Sequence, residues 1–130
     1  MNLKALLKKV IYTSLKGGEE IMKIYNSEFD VDYKSDHSPL TLADKNCNQI
    51  IEDYLSATDI PILSEEGSET PYVERKNWDY FWLVDPLDGT KEFVKRNGEF
   101  TVNIALIHNK TPVLGVVFVP VSNELYFALE

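Results

Sequence analysis

The chain has 130 residues, 44% of them apolar, enough for one hydrophobic core and too few for two full domains. Its net charge of −8, from 21 acidic and 13 basic side chains without a basic stripe, excludes a protein built to coat a nucleic-acid polymer. The single cysteine, Cys47, excludes an internal disulfide, and no stretch approaches the ~20 apolar residues of a transmembrane segment.

From the start, Leu3, Leu6, Leu7, Val10, Ile11, Ser14, Gly18, Ile21, Met22 and Tyr25 recur at helical spacing. They predict one amphipathic helix over residues 3–25, weakened at Gly17-Gly18. The early lysines and leucines lack the apolar run and cleavage site of a signal peptide. Residues 30–34 alternate like a strand, and 35–39 have a loop composition. A second helix is expected from about 42 to 55, capped by Thr41, with Ala43, Cys47, Ile50 and Tyr54 on its inner face. Cys47 reads as a small packing residue, because neither His37 nor His108 stands in a motif that would activate it.

After Ala57 the pattern changes to strands. Residues 61–64 form a short apolar run, 67–76 a polar loop and 80–84 a buried strand; Trp78, Phe81 and Trp82 read as core aromatics. A short helix is expected over about 90–95. Residues 100–107, 112–119 and 124–129 then form a meander broken by turns at 108–111 and 120–123. No repeat or interdomain linker interrupts the order. The expected fold class is α+β, with two N-terminal helices packed on a largely antiparallel sheet in one domain spanning 1–130.

The chemistry concentrates at residues 82–90, Trp-Leu-Val-Asp-Pro-Leu-Asp-Gly-Thr. Pro86 fixes its own φ and lacks an N–H, so the strand is expected to end at Asp85 in a sharp bend. Such a bend can aim Asp85, Asp88 and the Leu87 carbonyl at one point, an oxygen set that suits a hard cation such as Mg²⁺. If Thr90 opens a helix, the amides around Gly89 and Thr90 form an anion seat beside that cation. Plainer readings of the same residues stay open. Asp85 and Asp88 can belong to an Asx-type turn, Thr41 and Asp44 to a capping box, and Thr90 to a helix cap. Glu65 and Glu66 can be solvated acids at a strand end. Lys91, Glu92, Lys95, Arg96 and Glu99 form a mixed charge run whose default is a solvent face, with Lys91 or Arg96 reaching a second phosphate as the alternative.

Asp85-Pro86-Leu87-Asp88-Gly89-Thr90, extended by Lys91-Glu92-Phe93, resembles the first signature of the inositol monophosphatase superfamily. The longer form, from Lys95 to Leu106, is similar to the superfamily's 3′(2′),5′-bisphosphate nucleotidase branch. Leu63-Ser64-Glu65-Glu66 resembles its metal-binding glutamate segment, and the run from Ser38 to Asp44 its Thr-x-x-Asp segment.

The resemblance implies the N-terminal part of the sugar-phosphatase fold. Glu65, Asp85, the Leu87 carbonyl and Asp88 would bind two or more Mg²⁺ ions around a phosphate monoester. Gly89 and Thr90 would contact the phosphate with them, and Asp44 paired with Thr90 would orient the attacking water. Glu65, Asp44 and Thr90 are thus the catalytic set, one ion activating water and another steadying the leaving oxygen. The implied reaction converts adenosine 3′,5′-bisphosphate, a small phosphorylated nucleotide, to AMP and phosphate. It implies lithium sensitivity, a part in sulfur assimilation, and a cytoplasmic setting or a peripheral one at the cytoplasmic membrane face. Inositol monophosphatase or fructose-1,6-bisphosphatase activity, a non-catalytic cation- or phosphate-binding module, and a purely structural domain are the alternatives. Family members are much longer, and their second half supplies a further metal-ligating aspartate in a Trp-Asp segment. The resemblance therefore implies an N-terminal half with impaired turnover alone, whose open sheet edge invites a homodimer.

Overall fold

In the computed structural model, which describes residues 1–67 and 69–130, a helical layer covers one face of a five-stranded sheet. Helix α1 spans Leu3–Tyr25 and begins where the Asn2 side chain accepts from the Ala5 amide at 3.1 Å. Its buried positions, Leu7, Val10, Ser14, Gly17, Gly18, Ile21 and Ile24, follow the three-and-four spacing of one helical face. The glycines do not interrupt it. A Cβ on Gly17 would stand 2.7 Å from Cys47 Sγ, and one on Gly18 would run into the Phe118 ring. They are contact points that let α1 press on its neighbours.

The expected strand at 30–34 is shorter than its alternation suggests. Strands β1 (Asp32–Tyr33) and β2 (Pro39–Leu40) form a small separate hairpin, closed by Lys34 N–H donating to the Ser38 carbonyl at 2.8 Å. Helix α2 spans Leu42–Leu55 as expected, but its buried face is Ala43, Cys47, Ile51 and Leu55. Strict fourfold spacing from Cys47 turns Ile50 and Tyr54 to the rim, where Tyr54 meets Tyr12 edge-on at 5.5 Å. Cys47 is wholly buried and its Sγ donates to the Pro86 carbonyl at 3.2 Å; burial pushes its thiol pKa up, as a packing residue requires.

The sheet runs β3 (Ile62–Ser64), β4 (Tyr80–Asp88), β5 (Thr101–His108), β6 (Thr111–Val119) and β7 (Glu124–Leu129), each strand beside its sequence neighbour. Only β3 and β4 are parallel; the rest pair antiparallel. A parallel pair needs a crossover, and the stretch between β3 and β4 supplies it, including a short helix α3 (Tyr72–Arg75) where sequence suggested only loop. Ser68, within that stretch, lies outside the described residues. Helix α4 covers Thr90–Lys95, and Asn109 and Lys110, both at positive φ, turn β5 into β6 as a two-residue hairpin. The core gathers Trp82, Val84, Val102, Ile104, Leu106 and Val116 of the sheet against Val10, Ile21 and Ile51 of the helices. Trp82 is fully buried and its Nε1 donates to Thr58 Oγ1 at 3.0 Å, whereas Trp78 and Phe81 stay half-buried at its margin.

Gly18→Ala sets two effects against each other. Helix propensity favours alanine by about 1 kcal/mol, and overpacking a filled contact costs about 1–3 kcal/mol. The clash with buried Phe118 should win, so urea unfolding should show a less stable variant; a more stable one would mean that α1 does not press on β6 here.

Candidate metal and phosphate site

In a regular strand, residues three apart point to opposite faces. Along β4, buried Trp82, Val84 and Pro86 face the helices, while Leu83 and Asp85 face the other way. On that pattern Asp88 would point into the core. It does not, because β4 bulges: Asp85 opposes Asn103 but Asp88 opposes Thr101, three steps on β4 against two on β5. The extra residue buries Leu87 directly after Pro86 and turns Asp88 out on the face that carries Asp85. The expected strand end at Asp85 is thus overturned, since β4 continues to Asp88. Proline is tolerated because a bulge already leaves a residue out of the ladder.

The in-step parallel pairing of β3 with β4 places Ser64 opposite Val84, and the Glu65 amide donates to the Val84 carbonyl at 3.1 Å. Glu65 and Asp85 therefore leave the sheet side by side. Gly89 follows at φ +91°, and a Cβ there would sit 2.9 Å from the Glu99 carbonyl, so both conformation and space demand glycine. Thr90 then starts α4, with Gly89 as its cap residue.

Asp44 joins this end of the sheet to α2. It is fully buried at the first turn of α2, where its Oδ2 accepts from the Thr41 amide at 2.8 Å and the Thr41 hydroxyl at 2.7 Å. Its Oδ1 accepts from the Thr90 hydroxyl at 2.8 Å. The capping box and the Asp44–Thr90 pair coexist, each using one carboxylate oxygen. Thr90 Oγ1 also lies 3.3 Å from the Leu87 carbonyl.

Glu65, Asp85, Leu87, Asp88, Gly89 and Thr90 thus border one cavity of about 230 Å³, roofed by Lys34, Ser38 and Pro39 of the hairpin. The acids stand around it and do not close on one point: among the described residues, no three His, Cys, Asp or Glu side chains form a ready-made cation cage. Their electrostatics reflect burial and mutual repulsion. Burial, with the like charges of Asp88 and Glu65, pushes Asp85 up from 3.8 to about 6, and the Leu87 amide only partly offsets them. Burial also raises Glu66, against the pull of Lys34 Nζ at 2.5 Å. Burial alone would lower Lys34, but Glu66, with Asp44 and Glu65 beyond it, leaves its pKa raised. An all-oxygen donor set of three carboxylates and a carbonyl fits a hard divalent ion.

Sequence reasoning missed some of these partners. Asn103 donates to Asp88 Oδ2 at 3.0 Å, and Ser64 Oγ donates to buried Asn48 Oδ1 at 2.5 Å, tying the end of β3 to α2. Their signal was only polar residues, Ser64 and Asn103 on strands and Asn48 on the buried side of α2, in otherwise apolar stretches. Arg96, read by default as part of a solvent face with a phosphate contact as the alternative, is exposed, and its guanidinium donates to the Tyr25 and Ser27 carbonyls at 2.5 and 2.7 Å and lies over the Phe29 ring. Lys91 does border the cavity.

The profile of the inositol monophosphatase family matches residues 3–130. The chain belongs to the inositol monophosphatase family. It is similar to the 3′(2′),5′-bisphosphate nucleotidase CysQ of Shigella flexneri, 51% identical over 129 residues, 96% of this chain and 52% of that protein. The crystal structure of CysQ from Bacteroides thetaiotaomicron, a bacterial member of the family, matches at TM-score 0.87 and 51% identity over 99% of this chain and 47% of that one. An IMPase from Thermotoga maritima matches at TM-score 0.85 and 29% identity, over 97% of this chain and 48% of that one. The chain spans about half the length of the curated relatives it matches. The α+β fold expected from sequence is the fold of this family.

Asp85 makes a pH prediction for the metal-free chain. Its folded pKa of about 6 lies above the ordinary 3.8, so the native state holds the proton more tightly than the unfolded one. This group's contribution to stability is complete below the ordinary value and is lost as pH rises through about 6. Urea midpoints between pH 4 and 7, compared with Asp85→Asn, should show that loss in the parent and its absence in the variant. Parallel profiles would mean that Asp85 is not held as described.

Proposed function

We propose that this chain carries the magnesium- and phosphate-binding half of a phosphate monoester hydrolase, a 3′(2′),5′-bisphosphate nucleotidase that converts adenosine 3′,5′-bisphosphate to AMP and phosphate. The observation that carries the reading is the 2.8 Å hydrogen bond from Thr90 to buried Asp44, set beside Glu65, Asp85 and Asp88 on one cavity. The half-length match to CysQ nucleotidases at about 50% identity supports the substrate class.

Two or more Mg²⁺ ions, held by Glu65, Asp85, the Leu87 carbonyl and Asp88, would supply Lewis-acid polarisation of phosphoryl oxygens and acidification of water. The rest falls to the chain's own side chains. Thr90 donates its only hydroxyl proton to Asp44, which leaves its oxygen lone pairs to accept from a water and orient it. Asp44 cannot swing away, because Thr41 holds its other oxygen twice. Gly89 presents a backbone without a side chain where phosphate oxygens approach. Unneutralised, the acids would repel a phosphate, so substrate binding should depend on the cation. Lithium sensitivity, a cytoplasmic setting and a part in sulfur assimilation, implied by the resemblance of the Asp85-to-Leu106 run, complete this proposal. Among the described residues β3 and β7 are the outer strands of the sheet, which supports self-association of this chain as part of the proposal. Among the described residues, no helix is long and apolar enough to cross a membrane.

Calorimetry should detect Mg²⁺ binding to the parent and its loss in Asp85→Asn and Asp88→Asn; equal heats in all three would sink the metal assignment. Turnover is best assayed with the part of the Shigella flexneri relative that this chain does not cover. Phosphate release should then be faster from adenosine 3′,5′-bisphosphate than from inositol monophosphate or fructose 1,6-bisphosphate. Thr90→Val should keep Mg²⁺ binding and lose about 10²–10⁴ in rate, the usual worth of a group that positions a transferring proton. Undiminished release by that variant would remove Thr90 from the catalytic set.

A further inference from the structure

We propose that Asn103, with Thr101 behind it, is a positioning residue that holds the Asp88 carboxylate for the cation. The inference rests on the metal-binding reading above and deepens it. Asn103 Nδ2 donates to Asp88 Oδ2 at 3.0 Å, and Thr101 Oγ1 donates to Asn103 Oδ1 at 2.9 Å. The polarity of this relay follows from its end groups. A carboxylate only accepts, so the amide must turn its NH₂ toward Asp88, and its oxygen then faces the hydroxyl, which can donate. A flipped amide would set its oxygen against the carboxylate.

The relay exists because of the bulge. Thr101 and Asn103, two apart on β5, share the sheet face away from the helices, while Val102 and Ile104 fill the core. The bulge sets Asp88 opposite Thr101, which brings its carboxylate within reach of the Asn103 side chain. Asp88 is exposed at its strand end, and among the described residues Asn103 is the side chain that fixes its direction. Its Oδ1 makes no hydrogen bond among those residues and stays available to a cation. Groups that orient a ligating carboxylate typically contribute about 10–100-fold in metal affinity.

The alternative is that Asn103 merely braces the bulge, and one titration separates the two. Mg²⁺ is titrated calorimetrically into the parent, Asn103→Ala, Thr101→Ser and Thr101→Val, and each unfolding midpoint is measured without Mg²⁺. Asn103→Ala should weaken Mg²⁺ binding about 10–100-fold with its metal-free midpoint unchanged. Thr101→Ser, which keeps the hydroxyl, should bind like the parent, and Thr101→Val should weaken binding in the same direction as Asn103→Ala. A parental Mg²⁺ affinity in Asn103→Ala overturns the proposal, whether or not the midpoint falls. Should Asn103→Ala fail to fold, equal affinities in Thr101→Ser and Thr101→Val overturn it instead. Absence of Mg²⁺ binding in the parent overturns the metal reading itself, so that failure is distinct from a failure confined to the variants.

Discussion

One inserted residue in β4 decides where the acids of this protein stand. Two aspartates three apart on a regular strand cannot share a face, and one of them would face the helices. An ionised carboxylate in that core would cost several kcal/mol with no partner to offset it. The bulge at Pro86-Leu87 removes the conflict by placing two buried apolar residues in succession and turning Asp88 outward beside Asp85. Every other part of the site is arranged around that correction: Glu65 arrives from the parallel neighbour, Gly89 makes the turn into α4, and Asn103 receives Asp88 across the ladder.

The same strand end carries a concentration of like charge that folding alone would not favour. Asp85 is lifted to about 6 by burial and by its acidic neighbours, and the nearby ammonium of Lys34 is engaged with Glu66. Like charges gathered at one strand end disfavour full ionisation, so the protonation of Asp85 and the stability of the region are linked. Under the proposed function, the same repulsion would be relieved by a bound divalent ion.

Asp44 shows how a helix-capping box and a hydrogen bond to Thr90 can share one carboxylate. A capping box needs an acid at the third position of a helix, and the box immobilises that acid by holding one of its oxygens. The second oxygen is then presented to Thr90 at a defined place. The capping and catalytic readings of Thr41, Asp44 and Thr90 are therefore not rivals. The close approach of α1 to α2 at Gly17 and to β6 at Gly18 belongs to the same economy, since it seats the helical layer on which α2 is placed.

Much of this was legible from residue order. Periodicity marked both long helices and the β5–β7 meander, because each buries one face against a single layer and local spacing reports that directly. The Asp85-to-Thr90 run marked where acidic oxygens gather, because side-chain type survives any folding, and the structure sets these residues on one cavity. Other features depended on partners distant in the chain. The bulge is a property of two strands in register, the burial of Ile51 and Leu55 depends on which face α2 turns to the sheet, and the glycine contacts depend on Cys47 and Phe118. Arg96 carried the charge of a phosphate ligand and was drawn instead to the end of α1, as far from it in sequence as Tyr25. Sequence by itself determined the inventory of donors and the elements that carry them. Tertiary structure decided where those donors point at the bulge and at the strand ends, because partners across the sheet and between layers set it there and local spacing does not reach them.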